Sequence, residues 1–388
     1  MNILIGVCGG IASYKVCELV RELKRKGHSV KTILTPFAEK FMSPLTFQTL
    51  SGNKAYTDKD WEEEPLAHIN LARWADVFLI APATANTIAK IANGISDNLL
   101  TTTILAYGKP LLVAPAMNTV MYKSPSTQEN LKKLKEWGHV IIEPEFGVLA
   151  CKEVGEGKLA SIDRLIDWIY YVSEEKPLKG KKVLITCGAT KEFIDPVRFI
   201  SNYSSGEMGF SLARIFRWKG AEVKVIAGTT TAKEPPEVEI IRVQTTEEMR
   251  EKVLEHYDWA DIVVMNAAVA DFKPSKVSKE KIKKRDKILL ELVKNPDILE
   301  ELGRKKGYKI LVGFALESDN LLEYAREKLE RKNLDLIVAN PVKVMGKKEH
   351  EGYLITKDQI VELPKGSKLE NARFIVEFII GNVLRGGE

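Results

Sequence analysis

A short β-rich apolar run followed at once by small residues and then a helical pattern occurs twice in this chain. The first is Ile3-Leu4-Ile5-Gly6-Val7-Cys8-Gly9-Gly10-Ile11-Ala12-Ser13 and the second is Val183-Leu184-Ile185-Thr186-Cys187-Gly188-Ala189-Thr190. Such an opening aims backbone N–H groups and a helix dipole at a phosphate. Two of them predict two phosphate-binding units and, with them, two active sites.

Strand-like runs alternate with helical patterns through both halves, which predicts parallel α/β sheets. In the first half strands are expected at 2–7, 29–34, 76–81, 110–114 and 139–142, and helices near 10–26, 36–50, 84–94, 97–106, 124–137 and 161–173. A polar segment with Pro177 and Gly180 reads as a linker at 176–182, between domains at 1–175 and 183–388. Beyond it the pattern restarts, with strands at 182–186, 222–226, 239–242, 261–265, 309–314 and 335–338. Helices are expected near 206–219, 246–256, 296–306 and 318–332, followed by a hairpin of 352–356 with 359–363 and a last helix at 369–384. At 388 residues there is enough chain for each half to bury its own core.

Composition narrows the function classes. Hydrophobic residues make up 45% and charged residues 29%, as in ordinary globular proteins. No apolar run approaches the roughly 18 residues of a membrane span, and no leader pattern precedes the first strand, so a cytoplasmic protein with no membrane partner is expected. A net charge of +5 is too weak to argue for nucleic acid but suits phosphorylated small molecules. Cys8, Cys17, Cys151 and Cys187 form no Cys-x-x-Cys pair, so any of them that matters acts as a thiol.

The first loop, Gly-x-x-Gly-Gly-x-x-Ser, lacks the dinucleotide spacing Gly-x-Gly-x-x-Gly. The second strand ends in Thr35-Pro36-Phe37, with no acidic residue to grip an adenosine ribose. NAD is disfavoured. A phosphate at Gly9, Gly10 and Ser13 suits a mononucleotide such as FMN, its flat ring on the small turns Ala81–Ala85 and Ala114–Met117; equally, the glycines could serve only tight packing of strand on helix. His68, Asn118 past a strand end, and Cys151 in a glycine-punctuated segment that could close as a flap are the candidate reacting residues. Taken singly, a helical His, an Asn after a strand and a lone Cys are more often structural.

Gly9-Gly10-Ile11-Ala12-Ser13-Tyr14-Lys15, Ala81-Pro82-Ala83-Thr84-Ala85-Asn86-Thr87, Ser96-Asp97-Asn98-Leu99-Leu100, Pro115-Ala116-Met117-Asn118-Thr119-Val120-Met121-Tyr122 and Ala150-Cys151 occur in order. Together they resemble the flavin-containing cysteine decarboxylases, and among them phosphopantothenoylcysteine decarboxylase, over residues 1–170, with Tyr122 where that family often has Trp. The resemblance implies FMN held by Gly9, Gly10, Ser13, Thr35, Phe37, Pro82, Ala83, Thr84, Asn86, Ser96, Asp97 and Met117. It implies that the cysteine moiety of 4′-phosphopantothenoylcysteine is oxidised to a thioaldehyde, loses CO2, and is reduced again. By the same resemblance His68 is base or positioner, Asn118 holds the substrate carboxylate and Cys151 donates the last proton. These residue types suit those tasks.

In the second half a lysine-rich run, Lys273 to Lys287, follows a strand end beside Asp271 and carries no interleaved aromatics. It suits a clamp on a triphosphate, the alternative being a solvated face. Asn266-Ala267-Ala268 and Tyr324-x-x-x-Lys328 are partial matches to short-chain dehydrogenases, but the glycine spacing fails and no Ser stands about a dozen residues before Tyr324.

Gly188-Ala189-Thr190, Asp195 to Gly206, Asn266 to Asp271, Glu280 to Lys284, Lys294 to Leu299, Val312 to Ala315, and Lys328 to Ile337 together resemble phosphopantothenate–cysteine ligase across 180–388. This resemblance implies CTP and Mg2+ (or Mn2+), activation of 4′-phosphopantothenate as an acyl-cytidylate, and displacement of CMP by L-cysteine. Asn202 would hold the acyl-cytidylate and Lys281 the triphosphate. Asn266, Ala267, Ala268, Asp271, Pro296, Asp297, Ile298, Leu299, Phe314, Lys328 and Lys332 would line the nucleotide site, while the metal ligands stay unassigned. The fold implied is α/β, with two Rossmann-like three-layer domains: an N-terminal flavodoxin-like flavoprotein and a C-terminal nucleotide-binding ligase domain. Decarboxylase trimers and ligase dimers would make the chain a homo-oligomer. The alternative is a non-catalytic flavin-binding regulator, against which His68, Asn118 and Cys151 stand together.

Overall fold

The computed structural model describes residues 1–283, 287–342 and 349–384. The chain forms two compact units, Met1–Ser173 and Glu174–Glu388.

The first unit is built on six parallel strands: β1 (Asn2–Val7), β2 (Ser29–Leu34), β3 (Ala55–Tyr56), β4 (Val77–Ala83), β5 (Leu112–Pro115) and β6 (Val140–Ile141), ordered β3-β2-β1-β4-β5-β6. The register pairs Ile3 with Val30 on one side and with Val77 on the other. Alternation along the central strands makes three layers. Ile3, Ile5 and Val7 join Leu79 and Ala81 in one core, while Leu4, Phe78 and Ile80 join the other. Both faces are covered by helices, which is why these strands read as continuous apolar runs. The helix Ser13–Arg25 buries Val16, Leu19, Val20 and Leu23, spaced for one face.

The expected helix over 36–50 is instead a single 3₁₀ turn, Ala38–Lys40, and the helix Pro44–Ser51. Pro44 has no N–H to continue a helix and fits its first position, with Ser43 capping it. A hairpin of β7 (Glu145–Val148) and β8 (Val154–Lys158) lies outside the sheet and carries Leu149–Glu153 at its tip.

The second unit repeats the order. Its strands are β9 (Lys182–Cys187), β10 (Glu192–Phe193), β11 (Phe199–Ile200), β12 (Glu222–Ala227), β13 (Glu239–Arg242), β14 (Ile262–Met265), β15 (Phe272–Pro274), β16 (Leu292–Lys294), β17 (Ile310–Glu317), β18 (Leu336–Pro341), β19 (Glu349–Ile355) and β20 (Ile360–Ser367). Eight of them form the sheet β13-β12-β9-β14-β17-β18-β19-β20, all running the same way except β19, which pairs antiparallel with both of its neighbours. The expected closing hairpin is this β19–β20 pair. Pro296 and the capping Asp297 delay the helix expected from 296, which runs Ile298–Arg304. Residues expected to link the domains are packed within this unit: Leu178 is buried and Lys176 Nζ donates to the Trp218 carbonyl at 2.6 Å.

In both sheets the chain reverses direction of winding beside the first strand. The switch points lie between β1 and β4 and between β9 and β14, so a crevice is expected past the carboxyl ends of each pair. Among the described residues no helix is long and apolar enough to cross a membrane.

Candidate active sites

At the first switch point a cavity of about 590 Å³ is lined by Gly9, Gly10, Pro82, Thr84, Met117, Asn118 and Cys151, together with Tyr14, Lys15 and Lys158. The two glycines have different reasons to be glycine. A Cβ on Gly9 would lie 2.5 Å from the Phe37 ring, so packing forbids one, whereas a Cβ on Gly10 would meet nothing within 4 Å. Beside them the hydroxyl of Ser13 is buried and has no hydrogen-bond partner among the described residues. An open glycine and an orphaned hydroxyl at the start of the Ser13–Arg25 helix fit a bound phosphate. Thr84 caps the helix Ala85–Ala92.

Of the other residues expected around the cofactor, Thr35 is buried and accepts from Ala38 N, and Phe37 stacks edge-on to Phe41. Asn86 and Ser96 are exposed, and Asp97 pairs with Lys90 at 2.6 Å. None of these, nor Ala83, lines the cavity, and Ser13, fully buried, lies behind the lining rather than in it. His68 lies on the helix Ala67–Trp74, edge-on to Trp61, with Nδ1 buried and unpartnered among the described residues, and it too is outside the lining.

The hairpin tip brings Cys151 to Asn118. Gly157, at φ +129, lets the hairpin lie on the Met117 turn: Met117 N donates to the Gly157 carbonyl at 3.0 Å, and a Cβ there would sit 2.2 Å from Met117 O. Thr119 Oγ1 adds a bond to Glu156 O at 2.7 Å. Asn118 Oδ1 accepts from Val120 N at 2.8 Å, which turns Nδ2 toward Glu153 (2.6 Å) and Cys151 Sγ (3.6 Å). Glu153 escaped sequence reading; its only signal is a carboxylate two residues past Cys151 on a flap. Burial pushes the Cys8 thiol up to about 11 and that of Cys187 to about 12, whereas Cys151 is exposed.

At the second switch point two adjoining compartments share Ala267, Val269, Asp271, Phe314 and Lys328. The larger, about 570 Å³, adds Asn202, Asn266, Ala268 and Lys368; the smaller, about 160 Å³, adds Pro296, Asp297, Ile298, Leu299 and Lys332. Asn202 Nδ2 donates to the Ala268 carbonyl at 2.7 Å. Lys332 Nζ lies 2.6 Å from Asp297, whose carboxyl stays below its ordinary range: burial opposes the charge, but the Lys332 and Glu300 N bonds outweigh it. Lys328 donates to Phe314 O at 2.8 Å, and burial with Lys332 nearby lowers its pKa.

The second glycine opening is built differently from the first. Thr190 is fully buried, its hydroxyl accepting from Ala270 N at 2.9 Å and from Thr246 Oγ1 at 3.2 Å. Gly188-Ala189-Thr190 therefore braces the Asn266–Asp271 loop from beneath and lines neither compartment. The helix start that does line the larger one is at Gly206–Met208.

Lys281 is exposed and lines neither compartment, while Lys284, Arg285 and Asp286 lie outside the described residues. The segment carrying Lys281 is fastened one residue on. Ile282 N donates to buried Asp195 at 3.1 Å, Arg198 donates to Ile282 O at 2.7 Å, and Arg198 also pairs with Asp195. That guanidinium and the surrounding N–H groups hold the Asp195 carboxyl well below its ordinary range. Among the described residues no three His, Cys, Asp or Glu side chains converge as a metal site.

Two family matches divide the chain as its two units do. Residues 1–173 match the flavoprotein family and residues 178–382 the DNA/pantothenate metabolism flavoprotein C-terminal domain. The coenzyme A biosynthesis bifunctional protein CoaBC of Borreliella burgdorferi is 45% identical over 384 residues, covering 97% of this chain and 98% of its own. The chain belongs to this family of bifunctional phosphopantothenoylcysteine decarboxylase/phosphopantothenate–cysteine ligases. Its Bacillus subtilis member is 49% identical over 352 residues, covering 89% of this chain and 87% of its own. A solved C-terminal domain of a bifunctional CoaBC protein aligns with 54% of this chain and 100% of its own at 38% identity and a TM-score of 0.48.

Proposed function

We propose that this chain carries out consecutive steps of coenzyme A synthesis, its second unit making 4′-phosphopantothenoylcysteine and its first unit decarboxylating it to 4′-phosphopantetheine. The observation that carries the first half is one cavity in which an open Gly10, the amide of Asn118 and the thiol of Cys151 meet beside the orphaned hydroxyl of Ser13. Gly10 and Ser13 fit the phosphate of FMN, with Pro82, Thr84 and Met117 along the cavity wall. The bound flavin would supply the two-electron oxidation that lets the cysteinyl carbon release CO2, and would return those electrons afterwards. Asn118 Nδ2 binds the substrate carboxylate without a counter-charge, and Cys151 Sγ delivers the proton that completes the product. The hairpin 145–158 keeps water from that step. Ile11, Tyr14, Met121 and Val148 line the cavity yet are exposed, an apolar rim suited to a second copy, and His68 is assigned to a neighbouring copy's cavity.

In the second unit CTP is the activating nucleotide. Its phosphates fit between Lys328, Lys332 and the Asn266–Asp271 loop, with Mg2+ entering on the triphosphate and held largely by phosphate oxygens. Lys281 reaches the triphosphate from the fastened 278–283 segment. Asn202 holds the acyl-cytidylate while the amine of L-cysteine displaces CMP. The activation gives a poor electrophile a good leaving group. Both reactions use soluble small molecules, consistent with a cytoplasmic enzyme.

The test is a single incubation of purified, yellow protein with phosphopantothenate, cysteine, CTP and magnesium. Pyrophosphate, CO2 and 4′-phosphopantetheine are expected. A colourless protein that releases no pyrophosphate would sink the assignment.

A further inference from the structure

The amide of Asn118 is already engaged by a carboxylate from its own chain. Because Asn118 Oδ1 is tied to Val120 N at 2.8 Å, the Nδ2 amino group is turned toward the hairpin tip, where Glu153 Oε2 meets it at 2.6 Å. That is the donor–acceptor pair a substrate carboxylate would form. The same Oε2 accepts from Cys151 Sγ at 3.5 Å, so amide, thiol and carboxylate make a closed triangle. Glu153 is set there by the tip itself: Leu149 N donates to the Glu153 carbonyl at 2.8 Å, and Lys152 takes the left-handed conformation at φ 69 that turns the chain back.

Resting on the assignment of Asn118 to the substrate carboxylate, we propose that Glu153 is an internal stand-in for that carboxylate and a specificity-determining residue of the decarboxylase. A carboxylated substrate must displace Glu153 from Asn118. Once CO2 has left, nothing anionic holds the amide, Glu153 returns, and Cys151 comes back with it to the place where its proton is needed. The swap thus distinguishes the molecule before CO2 loss from the molecule after it.

Two measurements on the full-length holoenzyme test this. In Glu153→Gln and Glu153→Ala the KM for 4′-phosphopantothenoylcysteine should fall about fivefold, while the inhibition constant of 4′-phosphopantetheine, which lacks the carboxylate, should not move. A flap that had merely lost an anchor would bind both more weakly, and that result overturns the proposal, as does an unchanged KM. The second measurement needs no turnover. Alkylation of Cys151 is followed by mass spectrometry with anionic iodoacetate and neutral iodoacetamide. The ratio of the two rates should rise about fivefold in Glu153→Gln and lose that gain in Glu153→Gln/Asn118→Ala. No gain in the single variant overturns the stand-in role. A gain that survives removal of Asn118 overturns it differently, by taking away the Asn118 assignment on which it rests.

Discussion

The two units share a strand order and a switch point, yet their crevices are made differently. In the first, the loop after the leading strand is itself the cradle: Gly10 is open to the cavity and Ser13 waits at the helix start. In the second, the corresponding Gly188–Thr190 loop is buried scaffolding, and the cavity floor comes from the next strand's loop, with Lys328 and Lys332 as its cations. Topology decides where a ligand binds. On the proposed function, side chains decide which ligand, with backbone and hydroxyl groups for a resident phosphate in one unit and ammonium groups for a transient triphosphate in the other.

The sharpest way to break this separation is to disable one site and measure the other. Cys151→Ser should stall before the final reduction, lowering 4′-phosphopantetheine formation by about 10²–10⁴-fold, while pyrophosphate release from CTP is unchanged. Loss of both activities would contradict independent sites. The mirror experiment, Lys328→Gln, should lower ligase kcat/KM by about 10²-fold and leave flavin content and decarboxylation intact. An equal fall in both would mean that the lysine serves folding rather than the nucleotide.

What could be read from sequence follows the same division. The parallel sheets were legible because their strands are continuous apolar runs, such as Val77–Ala81 and Ile262–Met265, buried from end to end. Small residues past strand ends located both cavities, since Gly10, Asn118, Ala267 and Ala268 line them. Features made by short exposed pieces were not legible: in the β7–β8 hairpin the apolar alternation is confined to Glu145–Val148, β8 carries Gly155 and Gly157, and the pair owes its pose to the Gly157–Met117 contact far along the chain. Glu153 and Asp195 act through such long-range contacts, and neither carries a periodic signal. The Gly188–Thr190 loop misled for the opposite reason, its local pattern being right while Thr246 and Ala270 close over it.

A smaller effect probes the fastening of Lys281. Asp195→Asn removes the charge that draws in Arg198 but keeps an acceptor for Ile282 N. The KM for CTP should rise about tenfold, with cleavage by trypsin within 279–283 accelerated and decarboxylation untouched. An unchanged KM with accelerated cleavage would show that fastening the segment does not position Lys281.

The smallest expected effect separates the sites by pH. An ammonium binds phosphate only while protonated, and burial together with Lys332 makes the Lys328 charge costly, so its pKa lies below the ordinary lysine value. A lowered pKa means that the charge is lost earlier as pH rises, and kcat/KM reports the free enzyme, before the triphosphate can restore the proton. Ligase kcat/KM for CTP should therefore begin to decline at a pH below the ordinary lysine value of about 10.4, while an unperturbed lysine is still mostly charged. Backbone N–H groups and a serine hydroxyl do not titrate in that range, so flavin retention by the first unit should stay flat across it. Lys328→Arg keeps a cation at every pH tested and should flatten the CTP profile at a lower plateau. If that variant declines as the wild type does, the titrating group lies elsewhere, and the contrast between a backbone cradle and a lysine cradle no longer accounts for the two sites.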